Sequence, residues 1–178
     1  MALWGTFLSE AAEAGRICVG LIFLSGAVQK AQAWRLLPGV IGNYRLLPGW
    51  MVLPAAGVLP PLELLLAICL LSAQGRPWPE LAAIALLMLF AGAMAINIAR
   101  GRVHIDCGCG QPFLAQHLSP PLTARNLVLA ALLLPSLVPS ASVPMPALLG
   151  AVAAGLGFFL LYLLFNLLEA LPRARRFA

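Results

Sequence analysis

The residues best suited to chemistry sit in one block, Asn97-Ile-Ala-Arg100-Gly-Arg102-Val-His104-Ile-Asp106-Cys107-Gly-Cys109-Gly-Gln-Pro112. Cys107 and Cys109 stand one glycine apart. A disulfide wants its Cα atoms about 4.4–6.8 Å apart. Two positions this close reach that spacing only in a bent, strained chain, for which glycine permits the backbone angles. Strained, exposed disulfides have the higher reduction potentials and are the labile, catalytic ones. The attacking species is the thiolate; Arg100 and Arg102 favour it by proximity, and Asp106 pulls the other way. The leading reading is a redox-active pair. Two others stay open: a static structural clip, and a metal site using His104, Asp106, Cys107, Cys109 and His117, donors of the kinds that bind zinc. Cys-x-Cys is tighter than the spacing of most structural zinc sites, and no second cysteine pair follows, so no metal is expected.

Other polar residues fall where apolar ones would be the rule. Asn97 precedes the cysteine loop and Arg125 and Asn126 follow it; they would orient a ligand carbonyl or hold the loop to its bundle. Ionisable groups within apolar stretches are expensive and functional suspects by default. Glu63 is the strongest case. It reads as protonated, or as paired with Lys30 or an arginine and able to move a proton, or as a helix-start acid just after Pro60-Pro61, where the helix dipole favours it. The segment Trp34 to Trp50, with Arg35, Tyr44 and Arg45, fits an interfacial cap, and a lid over a quinone is a hypothesis for it. Cys18 and Cys69 read as small buried hydrophobes; a second redox pair would require neighbouring helices and matching depth.

The elements that position these groups follow from composition. The chain has 178 residues, 62% apolar and 10% charged, with a mean hydropathy of +0.96. Soluble domains are about 25% charged, so a soluble enzyme, a disordered tail and a DNA reader are excluded. The net charge of +5 and pI near 9.6 suit lipid head groups rather than nucleic acid, because the basic residues lie in short stretches between apolar segments. A spanning helix needs about 20 apolar residues. Spans are expected at about 10–34, 58–74, 80–99, 123–138 and 146–170, the last two split from one charge-free run by Pro135, Pro139, Pro144 and Pro146. Small residues in Ser25-Gly26-Ala27, Ala91-Gly92-Ala93 and Gly150 with Ala154 permit close helix contact. Ile17 to Gln29 also has the look of a signal-peptide core, with Ala31-Gln32-Ala33 as its cleavage form; Lys30 interrupts it, and the span is expected to stay. The fold class is all-α, a polytopic membrane bundle with a four-helix core plus a fifth transmembrane helix, in one integral domain over residues 1–178.

Five spans put the first loop, the third loop and the C-terminus on one side. That side holds Lys30, Arg35, Arg45, Arg100, Arg102, Arg125, Arg173, Arg175 and Arg176, against Arg16 and Arg76 on the other. The positive-inside rule would put the cysteine loop in the cytoplasm.

Phe23-Leu-Ser-Gly26-Ala-Val-Gln-Lys30, Asn43-Tyr44-Arg45-Leu-Leu-Pro48, Leu59-Pro60-Pro-Leu-Glu63 and Arg100-Gly-Arg102 with Asp106-Cys107-Gly-Cys109 together resemble the methylamine-utilisation MauE family. That family belongs with the DoxX-like membrane proteins and is similar in plan to the vitamin K epoxide reductase group. The resemblance covers residues 15 to 130. It implies a bacterial inner-membrane protein that serves the maturation of periplasmic methylamine dehydrogenase, whose small subunit is dense in disulfides. A thioredoxin-like periplasmic partner similar to MauD, and a quinone as electron acceptor, follow from the same resemblance. Carried over by position, Cys107 and Cys109 are the redox pair, and Arg100, Arg102 and Asp106 support it. Lys30, Glu63, Asn97, Arg125 and Asn126 complete the candidate ligand-binding set. This role requires a periplasmic cysteine loop, against the basic count, since disulfide generation in the reducing cytosol would run uphill.

Overall fold

No backbone amide can face hydrocarbon without a partner, so an apolar chain in lipid resolves into helices. The computed structural model describes residues 2–105, 107, 108, 117–138 and 144–170. Helices α1 (Ala2–Gln32), α2 (Leu37–Asn43), α3 (Gly49–Ser72), α4 (Trp78–Ala99), α5 (Pro120–Leu132) and α6 (Met145–Ala170) follow in order, with a 3₁₀ turn at Leu134–Leu137 after α5. Five helices, counting α5 with its 3₁₀ extension, are long and apolar enough to cross a membrane.

The core joins four helices. Cys18, Val19, Ile22 and Phe23 of α1 pack with Leu66, Ala67 and Leu70 of α3, Ala83, Leu86 and Leu87 of α4, and Leu129, Ala130 and Leu133 around the end of α5. Each set recurs at three- and four-residue intervals, the stripe one helix face presents. The opposite faces carry exposed aliphatic residues such as Leu64, Leu65, Ile68, Leu160 and Leu161, as lipid contact requires. Helix α6 lies outside this core against α1, so the expected four-plus-one plan is observed. The stretch considered as a signal-peptide core is the middle of α1, the central helix, which touches α3, α5 and α6.

Three local features differ from the sequence expectation. The second span begins at Gly49, not near residue 58, and runs through Pro54, Pro60 and Pro61. Each proline removes a backbone bond, but a helix ending there would leave several more polar groups unpaired in lipid. Glu63 is consequently deep inside α3 and not a helix-start acid. The first loop holds an unforeseen helix, α2. The small residues of α6 that meet α1 are Ala151 and Gly155, one position on from Gly150 and Ala154; a Cβ on Gly155 would lie 2.9 Å from the carbonyl oxygen of Ala14.

Candidate functional site

The cysteine loop returns from the end of α4 and is tied down at several points. The Arg102 amide donates to the Asn97 carbonyl at 2.9 Å, and the Leu118 amide donates to the Ile105 carbonyl at 3.1 Å. The Tyr44 hydroxyl, just beyond α2, donates to the Cys107 carbonyl at 3.0 Å. Gly108 has φ +68°, and a Cβ there would stand 2.8 Å from Val40 Cγ1 of α2. Only glycine meets both demands: left-handed backbone disfavours a side chain, and α2 occupies the space. Cys107 is 6% exposed and packs against Met94, Leu118 and Leu122. Gly108→Ala is therefore expected to push α2 off the loop and speed alkylation of the Cys107 thiol several-fold; an unchanged rate would mean that α2 does not cover it.

Cys107 forms part of the wall of a cavity of about 240 Å³ between α2, α3, α4 and the end of α1. Leu37, Val40 and Ile41 come from α2, Ala55 and Leu59 from α3, and Leu89, Phe90, Ala93 and Met94 from α4, with Lys30, Tyr44, Leu46, Leu47 and Gly108 completing the lining beside Cys107. The aromatic first loop, read as an interfacial cap, is thus one wall of this cavity. Leu89 is 65% exposed on the outer surface while also lining the cavity. Leu89 thus belongs both to the cavity wall and to the apolar outer surface of α4.

Lys30 and Glu63 meet in an ion pair. The ammonium donates to both carboxylate oxygens at 2.9 Å, Glu63 is 1% exposed, and Lys30 also lies 5.9 Å from the centroid of the Phe90 ring. Gly26 faces the pair, 3.4 Å from both charged groups by its would-be Cβ. Of the alternatives for Glu63, pairing with Lys30 is the one observed.

Asn97, Arg125 and Asn126 do not line the cavity. Arg125 donates to Asn166 Oδ1 of α6 and to Asn126 Oδ1, and its guanidinium lies 5.0 Å from the Tyr162 ring centroid. Asn97 Nδ2 bonds back to the Ala93 carbonyl. Among the described residues, Asn97 Oδ1 and Asn126 Nδ2 are buried without a hydrogen-bond partner. Ser119 donates to Glu169 at 3.1 Å, a further tie between the start of α5 and α6. Ser119, Arg125 and Asn126 form a buried polar join at α5 and α6, and Asn97 is tied within its own helix α4.

Arg100 and His104 are exposed, Arg102 is half-buried, and His117 is exposed at the far end of the loop. None lines the cavity; with exposed Arg35 and Arg45 they give this membrane face a basic surface. Asp106 and Cys109 lie outside the described residues, as do Arg173, Arg175 and Arg176. Among the described residues no group of three or more His, Cys, Asp or Glu side chains is placed to hold a metal. Cys18 and Cys69 are free thiols on adjacent helices.

A second buried cluster, at the opposite membrane face, is one that sequence patterning did not reveal. Arg16 donates to Glu13 and to the Leu70 carbonyl, Arg76 donates to the other oxygen of Glu13, and Arg76 Nε lies 3.3 Å from Glu80. The three-residue spacing of Glu13 and Arg16 was a usable signal; the approach of the Arg76 loop was not.

Comparison with known proteins adds the family. Residues 8–139 match the family described as methylamine utilisation protein MauE. The methylamine utilization protein MauE of Paracoccus denitrificans is 39% identical over 163 residues, covering 90% of this chain and 88% of the relative. The protein of that name from Methylorubrum extorquens is 42% identical over 146 residues, covering 80% and 78%. That from Methylophilus methylotrophus is 36% identical over 161 residues, covering 88% and 85%. No solved structure matches the chain.

Proposed function

The chain belongs to the MauE family of methylamine-utilisation membrane proteins, and we propose that it is a membrane thiol–disulfide oxidoreductase working through Cys107 and Cys109. The observation that carries this reading is a cysteine in the wall of an apolar cavity between the spanning helices, one of whose lining residues, Leu89, is exposed on the apolar outer surface. A quinone fits the donor set: apolar walls from α2, α3 and α4 suit a ring, and the Lys30 ammonium suits a carbonyl oxygen. A bound quinone supplies a sink for the two electrons and two protons released when the dithiol closes to the disulfide.

The chain's own residues divide the work. Cys107, buried beside the cavity, is the sulfur turned towards the membrane acceptor. Cys109 is then the sulfur that takes the partner's attack: a thiolate of a reduced thioredoxin-like protein forms a mixed disulfide with it and releases Cys107. The partner's second thiol resolves that bond, leaving the partner oxidised and this chain as the dithiol. Tyr44 and Gly108 hold the loop in place, α2 excludes water from the sulfur, and the basic surface formed by Arg35, Arg45, Arg100 and Arg102 receives an acidic partner face. Re-oxidised partner molecules would then serve disulfide formation in methylamine dehydrogenase.

The loop is assigned to the periplasmic side of a bacterial inner membrane. Lys30 and Arg125 of the basic side are engaged inside the bundle, and the remaining arginines are read as docking groups. Two experiments test the proposal. Proteoliposomes containing a short-chain quinone and a reduced thioredoxin-like protein are expected to form quinol in step with partner oxidation; no quinol would contradict it, and would leave the cysteines a structural clip. An impermeant maleimide added to whole, reductant-treated cells is expected to label the Cys107–Cys109 loop, whereas labelling only after permeabilisation would place it in the cytoplasm.

A further inference from the structure

Among the described residues, Glu63 is the most deeply buried carboxylate of the cysteine-loop half of the bundle, yet it does not line the cavity. Lys30 does. Both oxygens of Glu63 accept from the one ammonium, which also lies 5.9 Å from the centroid of the Phe90 ring in the cavity lining. The other titratable groups of the lining are Tyr44, whose proton is given to the Cys107 carbonyl, and Cys107 itself. Among the described residues, the cavity therefore presents one cation and one thiol in a lining that is otherwise almost wholly apolar. Burying an ammonium and a carboxylate costs several kcal/mol for each ion before they are paired, and apolar residues would pack a bundle at least as well. Buried pairs in membranes accordingly mark ion and proton pathways.

We infer that Lys30 is the proton-bearing group for the cavity's ligand, and Glu63 the residue that holds it there. This rests on the proposed quinone reading. Lys30 Nζ donates a hydrogen bond to a carbonyl oxygen of the ring and passes it a proton as the electrons arrive from sulfur. Closing the disulfide releases two electrons and two protons from the two thiols. The quinol takes up two of each. One proton comes through Lys30, which is recharged from the released thiol protons, so the lysine is unchanged over a cycle.

The choice of variants separates this role from a merely structural one. Arginine keeps the charge, the Glu63 pairing and a donor, but holds its proton too tightly to give it up near neutral pH. Lys30→Met alone would strand a buried carboxylate, so the apolar test is the double variant Lys30→Met with Glu63→Leu, which removes both ions together.

Two readouts are taken on purified protein: binding of a short-chain quinone, followed by quenching of tryptophan fluorescence, and the turnover of bound quinone. Lys30→Arg is expected to bind within about threefold of the parent and to turn over at least tenfold more slowly. The double variant is expected to bind about tenfold to a hundredfold more weakly, the loss of one charge-assisted hydrogen bond. Unchanged binding in the double variant, or unchanged turnover in Lys30→Arg, would overturn the assignment of Lys30 while leaving the quinone site intact. A parent protein that binds no quinone would instead overturn the site itself.

Discussion

Cys107→Ser is expected to abolish quinone-linked oxidation of a dithiol partner, a fall on the order of a thousandfold or more, while the bundle stays folded. The substitution exchanges sulfur for a smaller oxygen at a position packed by Met94, Leu118 and Leu122. It changes little volume and removes the one thiol among the described residues of the cavity wall, the sulfur that must join Cys109 when the dithiol closes. Replacing Cys18 or Cys69 by alanine is the comparison. Neither residue lines the cavity, and each is expected to keep most of the parent rate. Turnover per folded molecule, with the melting temperature measured alongside, checks both results. Equal losses at Cys18 and Cys107 would move the redox centre into the helical core and away from the loop.

The second large effect lies at the other membrane face and concerns stability. Glu13 accepts from Arg16 and Arg76 at once, and Arg76 also approaches Glu80. These contacts fasten the short loop between α3 and α4 to the central helix. Removing one partner from a buried ion pair is costlier than never having built it, typically about 3–5 kcal/mol. Glu13→Ala strands Arg16, which is almost wholly buried, so a loss near that range is expected; Arg76 is more exposed and contributes less. Glu13→Leu with Arg16→Met, leaving Arg76 to Glu80, is expected to recover much of the loss. Unfolding in mixed detergent measures both. Quinone turnover per folded Glu13→Ala molecule is expected to match the parent, because the cavity lies at the other end of the bundle. A variant as stable as the parent would show that Arg16 is satisfied by the Leu70 carbonyl alone.

How much of this could be read from the chain depends on the range of the interaction. Five spans are legible because lipid imposes a length and a polarity on each, and the third, Trp78–Ala99, starts two residues before the expected 80–99 and ends with it. The start of α3 was hidden because proline is a strong local breaker, and a local rule does not weigh the greater cost of ending a helix in hydrocarbon. Cys107 and Cys109 were legible as a pair of thiols at a meaningful spacing, with Gly108 as the residue that lets the chain bend between them. That Gly108 must also yield to Val40 was not, since the two meet across 68 positions. Lys30 and Glu63 were each marked by charge within an apolar run, and their pairing required knowing that α1 and α3 are antiparallel neighbours. Asn97, Arg125 and Asn126 stood out for the same reason as Lys30, namely polarity where none is expected. None of the three lines the cavity: Arg125 is engaged with α6 and Asn126, and Asn97 with its own helix.

The central claim is that two thiols of one loop hand their electrons to a lipid-soluble ring. It is met most directly by mixing the fully reduced protein with quinone in the absence of oxygen, then alkylating and mapping each cysteine by mass. One quinol formed per chain, with Cys107 and Cys109 alone protected from alkylation and rejoined as a disulfide, is the expected result. All four cysteines still open to the reagent after exposure to quinone would contradict it.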